Sequence, residues 1–464
     1  MMERIRFDFG NLMATAVDGG VEEVVFFKAL TEEFRRAHAD VTARHKRGDL
    51  GFLDLPYASE TVARIAEAAD GYAQHFEDVV VLGIGGSGLG AAVLRDALLG
   101  PLWNGESDDS RNHFPRLHVV DNVDSHTFQT LLNRFAPSRT LFNVVSKSGG
   151  TAETMTQYLA ARAWVERSID PKEIPRHFIF TTDPSGGVLR QIGEKEGVPM
   201  LPIPENVGGR FSVLSSVGLF PVALCGVEVD KLLAGAADME KRCRTDHMVA
   251  NPAGVLAALL YYADVEAQRS VHVLMPYADR LRSVALWFQQ LWAESLGKAV
   301  LLTGEKSSTG PTPLAALGAT DQHSLLQLLM EGPHDKVVLF IDVDDPGIDV
   351  EISECHEGAN APLSYLAGHT MGQLLRTERA ATAEALRQEG RPNATFHMPK
   401  IGAGELGQLL MLFQIATVYA GAMYQVDPLD QPGVELSKQL TYGLMGRKGY
   451  EVPAMPEPDP RWTL

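Results

Sequence analysis

Short apolar runs alternate along this chain with segments of helical periodicity, and this alternation constrains the fold more than any other feature. The runs occupy residues 79–86, 116–121, 140–150, 177–183, 270–277, 298–304 and 336–343. Because they are apolar at consecutive positions, they are typical of strands that are buried on both faces of a parallel sheet. Strands that alternate with helices imply right-handed crossovers and an open α/β sheet.

The runs form two groups separated by a helical middle, which predicts two α/β domains with mainly parallel sheets. A chain of 464 residues is also too long for one compact core. We expect the connection between the domains near residues 225–255. The boundaries that we predict are an N-terminal helical arm at 1–55, a first domain at 56–230, a second domain at 231–420, and a C-terminal helix and tail at 421–464.

The charge balance excludes some classes of partner. The chain has 41 basic and 59 acidic residues, a formal net charge of -18. Nucleic acids and anionic membranes need a basic face, so we expect neither as a partner. A small anionic substrate would have to be held by locally placed Arg, Lys and backbone N–H groups. The three cysteines, Cys225, Cys243 and Cys355, include no close pair, which predicts a reducing compartment without disulfides or a zinc knuckle.

One stretch resembles a membrane segment in composition. Residues 409–423 are apolar but span only about 15 positions and include Gln414, whereas a membrane span needs roughly 20 apolar residues. We therefore expect a buried core helix there. The first ten residues begin with charges and contain no apolar core of a signal peptide. Together these features predict a cytoplasmic protein. The proline-rich tail at 452–464 is expected to be irregular.

A glycine-rich turn, GIGGSG at 83–88, follows the first run and precedes a helical segment. Its glycines permit a tight turn, and backbone N–H groups at a helix N-terminus, including that of Gly86, attract phosphate. The same letters match the dinucleotide-binding fingerprint, which requires an acidic residue about 20 positions later. Asp121 is nearly twice as far away. A plain tight turn is the other alternative, but the Ser87 hydroxyl favours a sugar-phosphate site.

A second loop, at the end of the third run, carries three hydroxyl groups and a lysine. These are Ser146, Lys147, Ser148 and Thr151, with two glycines between the last two. At a turn from strand to helix, such a loop forms a phosphate-binding nest. The lysine does not have the spacing of a nucleotide-binding P-loop. Ordinary helix caps are an alternative interpretation, although one cap does not require three hydroxyl groups.

Two charged side chains further along the chain are candidates for a reactive site. Arg210 follows paired glycines that let the backbone approach closely whatever the guanidinium faces. Gln290 and Glu294 stand four apart and share one face of a predicted helix that ends at Gly297. Large apolar neighbours would make a carboxylate hold a proton more readily, which suits a proton-shuttling base. The alternatives are a surface arginine and an exposed helix acid.

Three residues near the C-terminal third complete the candidates. His323 follows Asp321, which looks like an N-cap, so the histidine is predicted to lie in the first turn of a helix, where the dipole favours neutral imidazole. Gln431 and Lys438 lie where a final helix begins. By themselves, a histidine and a lysine in these positions are more often ordinary surface residues.

Taken together, these segments resemble the glucose-6-phosphate isomerase family, whose members consist of two sugar isomerase (SIS) domains. The resemblance extends in chain order over about residues 79–446. The segments that carry it are GIGGSGLG at 83–90, SKSGGTAET at 146–154, VGGRFS at 207–212, QLWAESLGK at 290–298, QH at 322–323 and DQPGVELSK at 430–438. It implies two three-layer αβα sandwiches and an aldose–ketose isomerase that interconverts glucose 6-phosphate and fructose 6-phosphate.

The resemblance also implies a role for each candidate residue. The residues that would bind the substrate are Gly86, Ser87, Ser146, Lys147, Ser148, Thr151, Gln290 and Gln431. Among the catalytic residues, Glu294 would move the proton between C2 and C1, and Arg210 would stabilise the enediolate. His323 and Lys438 would assist ring opening, with Glu153 orienting the histidine.

Family members are homodimers in which the neighbouring subunit supplies the histidine, so the resemblance implies a homodimer with shared active sites. Neither a metal nor another cofactor is expected. A dual glucose/mannose-phosphate isomerase and a non-catalytic SIS module that senses sugar phosphates remain alternatives. A dinucleotide-dependent oxidoreductase is disfavoured by the position of Asp121.

Overall fold

The computed structural model describes residues 3–72, 75–353 and 361–464. The strands are β1 Arg6–Asp8, β2 Asp78–Leu82, β3 Arg116–Val120, β4 Thr140–Ser146, β5 Phe178–Thr182, β6 Met200–Pro202, β7 Val271–Pro276, β8 Lys298–Val300, β9 Lys306–Thr309, β10 Thr312–Ala315, β11 Lys336–Asp345 and β12 Asn393–Lys400.

The α-helices alternate with these strands. They are α1 Thr31–Lys46, α2 Ser59–Tyr72, α3 Gly86–Leu94, α4 Ser125–Arg134, α5 Ala152–Val165, α6 Val188–Glu196, α7 Ser216–Ala223, α8 Val229–Arg242, α9 Pro252–Val265, α10 Arg282–Leu296, α11 Leu326–Glu331, α12 Met371–Gln388, α13 Ala403–Met423 and α14 Glu435–Leu444. A π-helical segment at Val25–Leu30 directly precedes α1, and another at Arg95–Leu99 directly follows α3.

The first sheet contains five parallel strands in the order β3-β2-β4-β5-β6. Each of the four runs predicted between residues 79 and 183 supplies one strand. Every residue of β2, β4 and β5 is buried, because helices cover both faces of a parallel sheet. The predicted α/β fold is confirmed for this part of the chain.

The second sheet has the order β1-β12-β11-β7-β10, with β1 antiparallel to β12 and the other pairs parallel. The runs at 270–277 and 336–343 form β7 and β11, as predicted. The mainly parallel character is confirmed, but β12 was not predicted because its sequence, NATFHMPK, is mixed in polarity. Asn393 at its start is buried and donates through Nδ2 to the carbonyl groups of Ala383 and Arg391. The N-terminal segment expected to be only helical also contributes β1.

The run at 298–304 was predicted to be a buried strand, and this is wrong. Only β8 is extended there, and it pairs antiparallel with β9 in a two-stranded ribbon outside the second sheet. Val300 and Leu302 are exposed. The chain turns back at Gly304, whose φ of +84° suits glycine, and β10 takes the edge position beside β7. An apolar run alone does not distinguish these outcomes.

Helix α13 lies in the core and packs against α1, α8, α9 and α10. Within the described residues it alone is long and apolar enough to cross a membrane, and 94% of that stretch is buried inside the protein. The predicted buried core helix is therefore confirmed. Gln414, the polar residue noted in the sequence, donates through Nε2 to the carbonyl of Phe211. The helix thereby contacts the segment that carries Arg210.

The C-terminal segment is largely exposed. Helix α14 buries little besides Gly443, and the tail after it is irregular except for a short 3-10 turn at Pro460–Trp462, as predicted. Cys225 and Cys243 are buried and free, whereas Cys355 lies outside the described residues. The domain boundaries given above stay predictions.

Candidate active site

The glycine turn after β2 lies directly against two distant segments. A Cβ atom on Gly86 would come within 2.3 Å of the Gly209 carbonyl oxygen, and one on Gly85 within 2.9 Å of Gln290 Nε2. Gly85 also has a φ of +57°, which side chains rarely adopt. These contacts bring the turn beside Arg210 and α10. The Ser87 hydroxyl, partly exposed in the first turn of α3, makes no hydrogen bond with the described residues.

The hydroxyl-rich loop after β4 brings its three hydroxyl groups together. Ser146 Oγ lies 3.0 Å and Ser148 Oγ lies 3.3 Å from Thr151 Oγ1. Thr151 is the N-cap residue of α5, but its side chain makes no capping hydrogen bond. The interpretation of these residues as ordinary caps is therefore disfavoured. The hydroxyl groups and the N-terminus of a 14-residue helix form a cradle suited to phosphate.

Lys147 does not point at these hydroxyl groups. Its Nζ donates to the carbonyl oxygens of Glu205 at 2.6 Å and Val207 at 2.9 Å. Burial lowers the pKa of Lys147, while Asp183 and Glu205 act in the opposite direction. The lysine thus ties the loop after β4 to the segment that leads into Gly208, Gly209 and Arg210. A contact between its ammonium group and the hydroxyl cradle, as the sequence suggested, is not seen.

Arg210 is the centre of the cluster and is only 3% exposed. Its Nε donates to Ser295 Oγ at 2.7 Å, and its Nη1 to Gln431 Oε1 at 2.8 Å. Nη2 donates to the carbonyl oxygens of Pro428 and, at 3.0 Å, Asp430. Burial lowers the pKa of Arg210, and nearby carboxylates partly offset this effect. The guanidinium therefore joins α10 to the segment 428–431, and it is not the surface arginine of the alternative interpretation.

Glu294 faces Arg210 across a short gap. Its Oε2 lies 3.9 Å from Arg210 Nη1, and its side chain is 27% exposed. Gln290, one turn earlier on α10, donates through Nε2 to the same oxygen at 3.2 Å. The predicted helix and the shared face are confirmed. The expected apolar surroundings are only partly present, because Leu291 and Trp292 are buried but Leu286 is 45% exposed.

His323 is placed differently from the prediction. It ends a 3-10 turn at Thr320–His323, and α11 begins only at Leu326. The Asp321 carboxylate accepts from the Leu317 backbone N–H at 2.8 Å and from the Ser324 hydroxyl, so it does not cap a helix that contains the histidine. His323 is exposed, and none of its hydrogen bonds within the described chain reaches Arg210 or Glu294.

Lys438 and Glu153 also lie apart from the contacts around Arg210. Lys438 is in α14, is 47% exposed and pairs with Glu435 at 2.7 Å. Glu153 is half-buried in the first turn of α5, and across the described ranges no hydrogen bond joins it to His323. Gln431, by contrast, reaches Arg210. The structure thus brings the glycine turn, α10, Arg210 and Gln431 into direct contact. The hydroxyl loop is connected to them through Lys147, whereas, in the part of the chain that the structure describes, the histidine and the second lysine are not.

Three residues of the cluster, Ser295, Lys298 and Asp430, were not singled out from the sequence. Ser295 accepts from Arg210, and Lys298 Nζ donates to the carbonyl oxygens of Glu294 and Asp430, each at 2.8 Å. All three lie within the motifs at 290–298 and 430–438. Their contacts depend on long-range packing, so the motif letters were the only indication available.

Two groups of side chains in the described ranges are close enough to hold a metal ion. Asp108, Asp109 and His113 are exposed, and Asp342, Asp344 and His397 are close together near the end of β11. His113 already pairs with Asp108, and Arg379 pairs with Asp342 at 2.9 Å. Neither group belongs to the cluster around Arg210.

Comparisons with known proteins agree with the motifs. A family model described as phosphoglucose isomerase matches residues 63–448. The glucose-6-phosphate isomerase of Carboxydothermus hydrogenoformans is 40% identical over 421 residues, 90% of each chain. That of Rubrobacter xylanophilus is 41% identical over 450 residues, 97% of this chain and all of its own. The crystal structure of a hypothetical protein from Thermus thermophilus superposes with a TM-score of 0.84 at 34% identity, covering 95% of this chain and 99% of that one. The resemblance is confirmed, and the chain belongs to the phosphoglucose isomerase family.

Proposed function

We propose that this chain is a glucose-6-phosphate isomerase, which interconverts glucose 6-phosphate and fructose 6-phosphate in glycolysis and gluconeogenesis. The observation that carries the proposal is the placement of the Glu294 carboxylate 3.9 Å from the guanidinium of Arg210. Such a pair can remove a proton beside a carbonyl group and stabilise the resulting charge. Membership of the family and the names of the relatives support the same activity.

The hydroxyl cradle would hold the phosphate of the substrate. Ser146, Ser148 and Thr151 offer three hydroxyl groups, with Thr151 Oγ1 within 3.3 Å of the other two, and the N-terminus of α5 adds backbone N–H groups. Ser87 presents its hydroxyl at the neighbouring turn. Hydrogen bonds to a charged phosphate contribute about 1.5–3 kcal/mol each, so this cradle can fix one end of an open-chain sugar while chemistry proceeds at the other.

Glu294 would transfer the proton between C2 and C1. Removal of the proton leaves a cis-enediolate, whose negative charge must be stabilised where it forms. Four of the five N–H groups of Arg210 are held by the protein, one on Nε, one on Nη1 and two on Nη2. The remaining one is on Nη1, the atom nearest Glu294. The cation is therefore fixed before reaction and acts on charge that appears beside the base.

Ring opening would need His323 and Lys438, with Glu153 orienting the histidine. We propose that the active protein is a homodimer in which His323 from one chain serves the site of the other. In one chain His323 is exposed, which fits a residue that is presented to a second copy. A cytoplasmic location accords with the composition, and the net charge of -18 accords with a small substrate and with no nucleic-acid or membrane partner.

A coupled assay on the purified full chain tests the proposal. Fructose 6-phosphate is supplied, and glucose 6-phosphate is detected through a dehydrogenase that reduces NADP⁺. We expect turnover of fructose 6-phosphate. Free fructose, for which the product glucose is measured directly with glucose oxidase, should not be turned over because it lacks the group held by the hydroxyl cradle. Mannose 6-phosphate in the same assay tests the dual-specificity alternative. No turnover of fructose 6-phosphate by folded protein would refute the proposed function.

A further inference from the structure

Lys298 is a buried cation at the junction of α10 and β8. Its side chain is 5% exposed, and its Nζ lies 2.8 Å from the carbonyl oxygen of Glu294 and 2.8 Å from that of Asp430. The Asp430 carboxylate is 3.4 Å away. The three N–H groups of the ammonium thus have three acceptors, and two of these are backbone atoms of residues that line the candidate site.

This arrangement costs stability. Burial and the nearby charge of Arg210 both lower the pKa of Lys298, although Asp430 acts in the opposite direction. Two buried cations that share one acceptor, the Asp430 carbonyl oxygen, repel each other. Well-packed apolar residues often serve a fold as well as buried charges do. A purely structural role in the β8–β9 ribbon therefore does not account for a buried cation at this position.

We propose that Lys298 is a positioning residue for the proton transfer, holding the backbone of Glu294 against the segment 428–431. Arg210 binds the same segment through Asp430 and Gln431, so the base, the cation and Gln431 are kept in one arrangement. Lys298 touches no reacting atom. The inference rests on the proposed function, because it assigns Lys298 a task within that reaction.

The test compares Lys298→Met with Lys336→Met, a matched control. Lys336 is also largely buried, at 11% side-chain exposure, and donates to a backbone carbonyl, that of Pro333, at the start of β11. A misplacement of about 1 Å can cost about 100-fold in rate. We expect Lys298→Met to lower kcat for fructose 6-phosphate roughly 10- to 100-fold with KM changed less than about threefold. Thermal unfolding of both variants is measured alongside, and Lys336→Met should keep kcat within about twofold.

A chemical rescue experiment distinguishes loss of the hydrogen bonds made by the Lys298 ammonium group from simple loss of packing. Lys298→Ala leaves a cavity that propylammonium can enter, and we expect added propylammonium to raise its kcat while Lys336→Ala does not respond. If Lys298→Met does not fold, Lys298→Arg carries the test, since it keeps the charge but changes the reach, and kcat should fall about fivefold or more at an almost unchanged KM.

The inference is overturned if kcat of the folded Lys298 variants stays within twofold of the parent, or if only KM changes. It is also overturned if propylammonium has no effect on Lys298→Ala. Absence of fructose 6-phosphate turnover in the unsubstituted chain would instead refute the proposed function, so the two failures are distinguishable.

Discussion

The Glu294 carboxylate has two effects on the proposed reaction, as a proton acceptor and as a negative charge. Replacing Glu294 by Gln removes both, and each can be measured separately. The amide keeps the size of the side chain and can still accept from Gln290, whose Nε2 lies 3.2 Å from the carboxylate oxygen. It removes the proton acceptor, a role worth roughly 10²- to 10⁴-fold in rate. We expect kcat to fall by that factor while KM for fructose 6-phosphate stays the same or decreases.

The second effect is electrostatic. The negative charge of Glu294 repels anionic inhibitors, so Glu294→Gln should strengthen their binding although it lowers kcat. A five-carbon aldonate phosphate would place its carboxylate where the enediolate forms, next to Glu294. Two like charges about 5 Å apart repel by about 3 kcal/mol at an effective dielectric constant of about 20. Because the Glu294 side chain is 27% exposed, salt screens this repulsion, and at a Debye length of about 8 Å it falls by roughly half, to about 1.5 kcal/mol. Glu294→Gln should therefore bind the aldonate about tenfold more tightly, since Arg210 is left without its nearest carboxylate.

The assay is inhibition of residual turnover, checked by calorimetry with the same aldonate phosphate. Glu305→Gln is the matched control, because Glu305 is exposed on the β8–β9 ribbon and its loss changes net charge equally. We expect the control to alter neither kcat nor inhibitor binding. Weaker aldonate binding by Glu294→Gln, or a kcat within tenfold of the parent, would show that Glu294 is not the base beside the enediolate.

Three further predictions concern the hydroxyl-rich loop after β4 and the assembly of two chains into a dimer. Ser148→Ala combined with Thr151→Ala should raise KM for fructose 6-phosphate by about 100-fold or more, because two hydrogen bonds to a charged group are lost, and an unchanged KM would place the phosphate elsewhere. Lys147→Met should lower kcat but leave inhibition by sulfate nearly unchanged, since the ammonium holds backbone carbonyls; a large rise in the sulfate inhibition constant would make Lys147 a phosphate ligand. Glu294→Gln chains mixed with His323→Ala chains should regain roughly a quarter of parent activity if subunits exchange freely and each mixed dimer has one intact site. If mass spectrometry shows mixed dimers but activity does not recover, His323 serves its own chain.

The sequence was informative where chemistry follows a buried strand. The loops after β2 and β4 could be predicted because glycines and hydroxyl groups come directly after apolar runs, and ligands in open α/β sheets lie at the carboxyl ends of strands. Gln290 and Glu294 could be placed on one helix face from their spacing alone. These are local relations, in which residues a few positions apart determine the geometry.

The failures concern contacts between distant segments. The direction of the Lys147 side chain depends on the approach of residues 205–207, and the exposure of the run at 298–304 depends on β10 occupying the sheet edge. The helix start assigned to Asp321 was wrong because its carboxylate accepts from Leu317, which precedes it. No local pattern contains this information, so propensity and periodicity cannot supply it.

The same long-range contacts explain how a chain with a net charge of -18 can hold an anionic sugar phosphate. Lys147, Arg210 and Lys298 are mainly bound to uncharged acceptors. Each of the three donates to two backbone carbonyl oxygens, and Arg210 and Lys298 share that of Asp430. A carbonyl group satisfies a hydrogen-bond donor without cancelling its charge, whereas a carboxylate would cancel it. The overall negative field is screened beyond about 8 Å at physiological salt. The three cations therefore keep part of their charge, and their positions are set by the backbone of the segments that they join.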